Sequence, residues 1–131
     1  MRVALINYQQ TLLSRVRGFL ETFPGIVIVG AFRHEEEALA NIQSLEPQIA
    51  LIDLDKKGSS ETDIVHKLRS KFPELVMIAI SINDTDKFRA AVIQAGANAF
   101  VSKSRVIQDL VPAMQHEISK LSRDDPKSPR G

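Results

Sequence analysis

The chain has no cysteine, which excludes disulfides, thiolate nucleophiles and cysteine-based zinc or iron–sulfur sites. It also lacks an excess of either charge. Seventeen Lys+Arg against sixteen Asp+Glu give a net +1, which argues against a dedicated nucleic-acid or membrane-surface binder. No apolar run approaches the ~20 residues of a membrane span. The opening run from Met1 to Ile6 turns polar at Asn7, too early for a signal peptide, so a cytoplasmic protein is expected. No Walker phosphate loop, Rossmann fingerprint or Gly-x-Ser-x-Gly elbow occurs, so neither nucleotide binding nor hydrolase chemistry has support and no enzyme is expected. The three histidines, His34, His66 and His116, fall on different helical segments with no pair at ligand spacing, so no metal site is expected from them.

What is present is the composition of one globular domain. The 131 residues are 44% hydrophobic and 25% charged, too apolar for disorder and too short for two ordinary domains. Short β-branched runs alternate with helical patterns. The runs are Val3–Ile6, Ile26–Val29, Ile49–Ile52, Leu75–Ile80 and Ala99–Val101, continuously apolar as parallel strands buried on both faces should be. Between and after them stand five apolar stripes at 3–4 spacing. The first is Leu12, Leu13, Val16, Phe19, Leu20 and Phe23, and the second Ala38, Leu39, Ile42 and Leu45 behind three glutamates. The third is Ile64, Val65, Leu68 and Phe72, with Ser60 and Asp63 at capping-box spacing. Asp84 is a candidate cap for the fourth, through Phe88, Ala91 and Val92 to Gly96. The fifth is Ile107, Val111, Met114, Ile118 and Leu121, with Pro112 inside it, so that helix starts late or bends.

Five strand–helix pairs predict a doubly wound, five-stranded parallel α/β sheet with helices on both faces over residues 1–121. Residues 122–131 have no apolar side chain except two prolines and are expected to be a disordered tail or linker stub. That segment carries three basic and two acidic residues, so the remainder is neutral.

Open parallel sheets bind ligands beyond the carboxyl ends of their strands. The polar residues that end the five runs are Asn7-Tyr8, Arg33-His34, Asp53-Leu54-Asp55, Ser81 and Lys103. A carboxylate, a hydroxyl and an ammonium at one rim suit an anionic group held on or beside the carboxylate. Taken singly each is ordinary: aspartates and serines cap turns, strand aromatics such as Phe100 pack, and Asp55 reads as a solvated loop residue. Lys103 is the exception, since a lysine ending a buried strand needs a nearby anion.

Three segments carry a family resemblance. Pro47 through Gly58, containing Ile49-Ala50-Leu51-Ile52-Asp53, resembles the phosphoacceptor strand and loop of bacterial response-regulator receiver domains. Met77–Ser81 resembles the strand ending in that family's Ser/Thr switch hydroxyl, and Ala95–Lys103 resembles its Gly-Ala-x-x-aromatic-x-x-Lys segment. The resemblance covers about residues 1–121 and implies a flavodoxin-like fold. It implies Asp53 as phosphoacceptor, Lys103 and Ser81 as phosphoryl-binding groups, Ser81 and Phe100 as switch residues, and Gly58 as a loop glycine. At Asp55 it implies a backbone carbonyl turned to Mg²⁺.

The chain departs from the family at Asn7 and Tyr8, which stand where receivers carry two Mg²⁺-holding acids, and at Lys57, which replaces a loop proline. Mg²⁺ is hard, octahedral and reluctant to dehydrate, so it needs carboxylates. With Asp53 and Lys103 summing to zero, no cofactor is expected, or Mg²⁺ weakly at most. Without the metal, Lys103 is expected within salt-bridge distance of Asp53. Two functions follow. One is a receiver phosphorylated on Asp53 by a histidine kinase through a degenerate Mg²⁺ site. The other is a pseudo-receiver acting as a phosphorylation-independent interaction or dimerisation module. The partners expected are a histidine kinase, another signalling protein or a second copy, with no nucleic acid and no membrane.

Overall fold

Five parallel strands pair in the order β2-β1-β3-β4-β5, with β1 at Arg2–Ile6, β2 at Val27–Phe32, β3 at Ile49–Asp53, β4 at Val76–Ser81 and β5 at Ala99–Ser102. The helices between and after them are α1 (Gln10–Glu21), α2 (Glu35–Leu45), α3 (Asp63–Lys71), α4 (Asp86–Ala95) and α5 (Val106–Asp124), with a single 3₁₀ turn at Lys103–Arg105. This computed structural model describes residues 1–8, 10–55 and 62–124, the side chains of 10–13 and 122–124 excepted. Strand order 2-1-3-4-5 is the flavodoxin-like form of the doubly wound sheet, and it places ligands at the carboxyl ends beside the β1/β3 switch point.

Burial follows strand position. The central strands β3 and β4 are buried along their whole length and β1 in all but its first residue. The edge strands β2 and β5 are partly covered. One face of the sheet packs Val3, Leu5, Leu51 and Ile78 against Val16 and Leu20 of α1 and Leu110, Val111 and Met114 of α5. The other packs Ile6, Ile52 and Met77 against Ala38 and Ile42 of α2, Ile64, Val65 and Leu68 of α3, and Val92 of α4.

Several local expectations are corrected. β2 runs on through Gly30, Ala31 and Phe32 because its register with β1 shifts between Val3 and Ala4, a bulge that leaves Val29 extra. A Cβ at Gly30 would lie 2.8 Å from Leu45 Cδ1, the end of a flexible side chain that would have to shift. The residue at the start of α4 whose side chain caps it is Thr85, whose Oγ1 accepts from the Phe88 N–H at 3.2 Å. Asp84 instead accepts from Ser102 Oγ at 3.1 Å. The residue preceding α3 is Thr62, with no side-chain cap bond, and Asp63 is already its first helical residue; Ser60 lies outside the described residues.

Helix α5 starts at Val106 and runs across Pro112 to Asp124, so it does not start late. The first three residues of the segment expected to be a tail are therefore helical. Its buried stripe is Leu110, Val111, Met114 and Glu117, while Ile107 is 66% exposed and Leu121 49% exposed. The reason is length: nineteen helical residues span about 28 Å at ~1.5 Å each. A strand of four to six residues spans about 13–20 Å. α5 is therefore longer than the strands it covers. On α4, Ala91 is likewise exposed while Phe88 and Val92 face inward.

Opposite the site, Arg69 of α3 clamps the α4–β5 turn. It donates to the Gly96 carbonyl through Nε and Nη2 at 3.0 and 2.8 Å, and to Asn98 Oδ1 at 2.7 Å. Asn98 Oδ1 also accepts from the Met77 N–H of β4 at 2.9 Å. Gly96 has φ +131°, and a Cβ there would stand 2.8 Å from Arg69 Cβ. Among the described residues no helix is long and apolar enough to cross a membrane.

Candidate functional site

Asp53 is the last residue of β3 and Ser81 the last of β4, while Lys103 follows the end of β5. The parallel registers Asp53↔Ile80 and Ser81↔Ser102 therefore bring a carboxylate, a hydroxyl and an ammonium to one rim. Asp53 is 3% exposed and Ser81 1% exposed. Lys103 Nζ lies 3.0 Å from Asp53 Oδ1, within the salt-bridge distance expected of the pair. The Asp55 N–H donates to that same Oδ1 at 2.9 Å.

Asp55 is not the solvated loop residue its sequence suggests. Its carboxylate turns inward, with Oδ2 2.8 Å from Lys103 Nζ and accepting from the Ile82 N–H at 2.8 Å. Its Oδ1 accepts from Ser81 Oγ at 2.7 Å. The ammonium thus bridges two carboxylates, and the described charges sum to −1 rather than to zero. Burial alone would push the Asp55 carboxyl up, but the bonds from Lys103, Ser81 and Ile82 outweigh it and hold the group below its ordinary 3.8. Burial would likewise depress Lys103, yet its bonds to Asp55 and Asp53 and their charges leave the ammonium above 10.5.

Asn7 and Tyr8 close the site on the β1 side. Asn7 has φ +65°, a left-handed conformation that asparagine tolerates better than most side chains. Its N–H donates to the Phe32 carbonyl at 2.7 Å. The Tyr8 ring is buried in the α1/α5 core. Burial, then the charge of Asp53, hold its phenol well above the ordinary value of 10. Asn7 Oδ1 and Tyr8 OH are buried without a hydrogen-bond partner among the described residues.

Mg²⁺ is a hard ion that prefers carboxylate oxygens. Where the ion would need acids after β1 there is one neutral amide oxygen and a packed phenol, and the lysine ammonium already lies between the two carboxylates. Among the described residues no three His, Cys, Asp or Glu side chains come together in a group that could hold a metal ion. Gly58 and Lys57 lie outside the described residues. Phe100 on β5 is partly buried. Its ring meets Phe88 edge-on at 5.9 Å between centroids, and the Arg89 guanidinium lies over it at 4.8 Å, within cation–π range.

The profile of the response regulator receiver domain matches residues 3–115. The chain belongs to that family. It is a receiver domain of a two-component response regulator with the flavodoxin-like fold. Response regulator GacA of Pseudomonas protegens is 24% identical over 115 residues, which are 88% of this chain and 54% of that protein. The nitrate/nitrite response regulator protein NarL of Escherichia coli is 24% identical over 112 residues, 86% of this chain and 52% of that protein. The chain thus spans about half the length of these curated relatives. Among solved structures, the isolated receiver domain of RcsB from Salmonella enterica serovar Typhimurium in its apo form superposes with a TM-score of 0.84. It has 21% identity and covers 92% of this chain and 89% of that one. The response regulator domain of Thermotoga maritima CheB gives 0.76 at 16% identity, over 96% and 98% of the two chains. At such identities the likeness is one of fold.

What sequence reasoning missed is the role of the Asp55 side chain, which it placed on the rim only as a solvated loop residue. A signal for it existed: residues i and i+2 of an extended segment point to the same side, so an Asp-x-Asp leaving a strand can aim both carboxylates at one rim. The Arg69–Asn98 clamp gave no comparable signal, since its partners lie 29 residues apart.

Proposed function

We propose that this receiver domain signals by binding another protein and needs no phosphoryl group on Asp53 to do so. The single observation behind this is the Lys103 ammonium, bridged between Asp53 and Asp55 at 3.0 and 2.8 Å. In-line phosphoryl transfer depends on positioning and on neutralising the charge that develops on the phosphoryl oxygens. Here the cation is already shared by two carboxylates and the acids that would recruit a second cation are absent. Loss of such a charge-stabilising element costs a factor of ~10³ or more in rate. The proposed partner surface lies beside Phe100, where Phe88 and Arg89 border a sheet edge. A protein partner, a second copy included, suits a net charge of +1 better than a nucleic acid does.

The second reading is a slow phosphoacceptor served by a histidine kinase. It is favoured by Asp53 standing at the carboxyl end of a central strand with Lys103 on its Oδ1. Radiolabelled acetyl phosphate with Mg²⁺ separates the two. Binding without phosphorylation predicts negligible label on wild type, none on Asp53→Ala, and a gain of at least about tenfold for Asn7→Asp. Asn7→Asp is the cleaner gain-of-function variant, because Tyr8→Asp would place a carboxylate in the core. Rapid, Asp53-dependent labelling of wild type would establish the second reading instead.

A further inference from the structure

An ammonium, a hydroxyl and a backbone amide converge on one carboxylate in this site, and the carboxylate belongs to the same chain. Lys103 Nζ and the Ile82 N–H both meet Asp55 Oδ2 at 2.8 Å, and Ser81 Oγ donates to Oδ1 at 2.7 Å. Donors of this kind aimed at neighbouring oxygens of one planar anion make an oxyanion-binding set. Two of the three have a single proton to give: the Ser81 hydroxyl and the Ile82 amide are spent on Asp55. An external oxyanion cannot use them while Asp55 does.

The same hydrogen bonds continue away from the site. Ser81 Oγ accepts from the Asn83 N–H at 3.0 Å. Asn83 Oδ1 accepts from the Thr85 N–H and Oγ1 at 3.3 and 3.1 Å. Thr85 Oγ1 caps α4 at the Phe88 N–H, and the Phe88 ring meets Phe100. The Asp55 carboxylate therefore stands at one end of a continuous chain of contacts whose other end is the Phe100 edge of the sheet.

We infer that Asp55 is a built-in anion, filling the Lys103–Ser81–Ile82 donor set so that these bonds anchor the loop between β4 and α4 without a phosphoryl group. This deepens the binding function proposed above and rests on it. The donor set opens to an external oxyanion when the Asp55 carboxylate is removed.

Titration of the ¹⁵N-labelled full chain with inorganic phosphate at neutral pH tests this through the Ile82 and Asn83 amides. Wild type is expected to show no saturable shift there up to tens of millimolar. Asp55→Ala is expected to saturate, at least about tenfold more tightly, and Asp55→Ala/Lys103→Ala to lose that binding. Should Asp55→Ala fail to fold, the isosteric Asp55→Asn takes one of the two carboxylate charges off the ammonium and should bind phosphate more tightly than wild type. Saturable binding by wild type, no weaker than by the variant, overturns the inference, as does a folded Asp55 variant blind to phosphate. Labelling of Asp53 plays no part in this titration. Rapid labelling of a wild type whose Ile82 ignores phosphate would remove the binding function and leave the built-in anion standing.

Discussion

At the residue scale, Lys103 holds the site together, because its one charge serves two carboxylates. Each carboxylate alone keeps the ammonium compensated, whereas removing both leaves a largely buried cation, its side chain 19% exposed, without either carboxylate. Breaking a buried pair is costly mainly through the charge left behind. Asp53→Asn and Asp55→Asn are therefore each expected to cost about 1 kcal/mol or less, and the double variant more than their sum, by about 1 kcal/mol. Urea unfolding of the four proteins at pH 7 reads this directly. An additive cycle would mean that Lys103 does not couple the two acids. Considered from the sequence alone, with Asp53 as the one partner of Lys103, Asp53→Asn would carry the whole penalty. The second acid changes which variant is severe.

At the element scale, the strands were legible and the helix ends were not. Runs such as Ile49–Ile52 carry their own signal, a β-branched apolar stretch stopped by a polar residue, and Asp53, Ser81 and Lys103 all stand at such stops. Caps depend on local backbone geometry that neighbouring residues of similar chemistry share equally. Asp84 and Thr85 are both good caps in sequence, and the extended backbone of Thr85, φ −62° and ψ 149°, decides between them. Thr85→Ala is accordingly expected to cost about 1 kcal/mol, read as a lowered urea midpoint with unchanged slope. A Thr85→Ala protein as stable as wild type would count against both the cap and the contact chain that passes through it. The stripe of α5 was legible in its spacing but not in its ends, since periodicity carries no information on how far a helix outruns the sheet beneath it.

At the scale of the whole molecule, the doubly wound topology and the rim of the site follow from the order of runs and stripes, because parallel crossovers leave few alternatives. What escaped was the charge balance of the site, which depends on the direction of one loop side chain. That balance has a pH consequence. A carboxyl held below its ordinary value gives stability that is present above 3.8 and lost as pH falls through its folded-state value, and Asp55 is such a group. Lys103, held above 10.5, stabilises below that value and loses its contribution as pH rises through the folded-state one. Asp55 is an internal, ion-paired member of the site, and ¹³C NMR titration of its side-chain carboxyl reads that pairing. In wild type its midpoint is expected below 3.8, and in Lys103→Ala it should move up, because burial then meets only the Ser81 and Ile82 bonds. A wild-type midpoint at or above 3.8 that Lys103→Ala leaves in place would contradict the account.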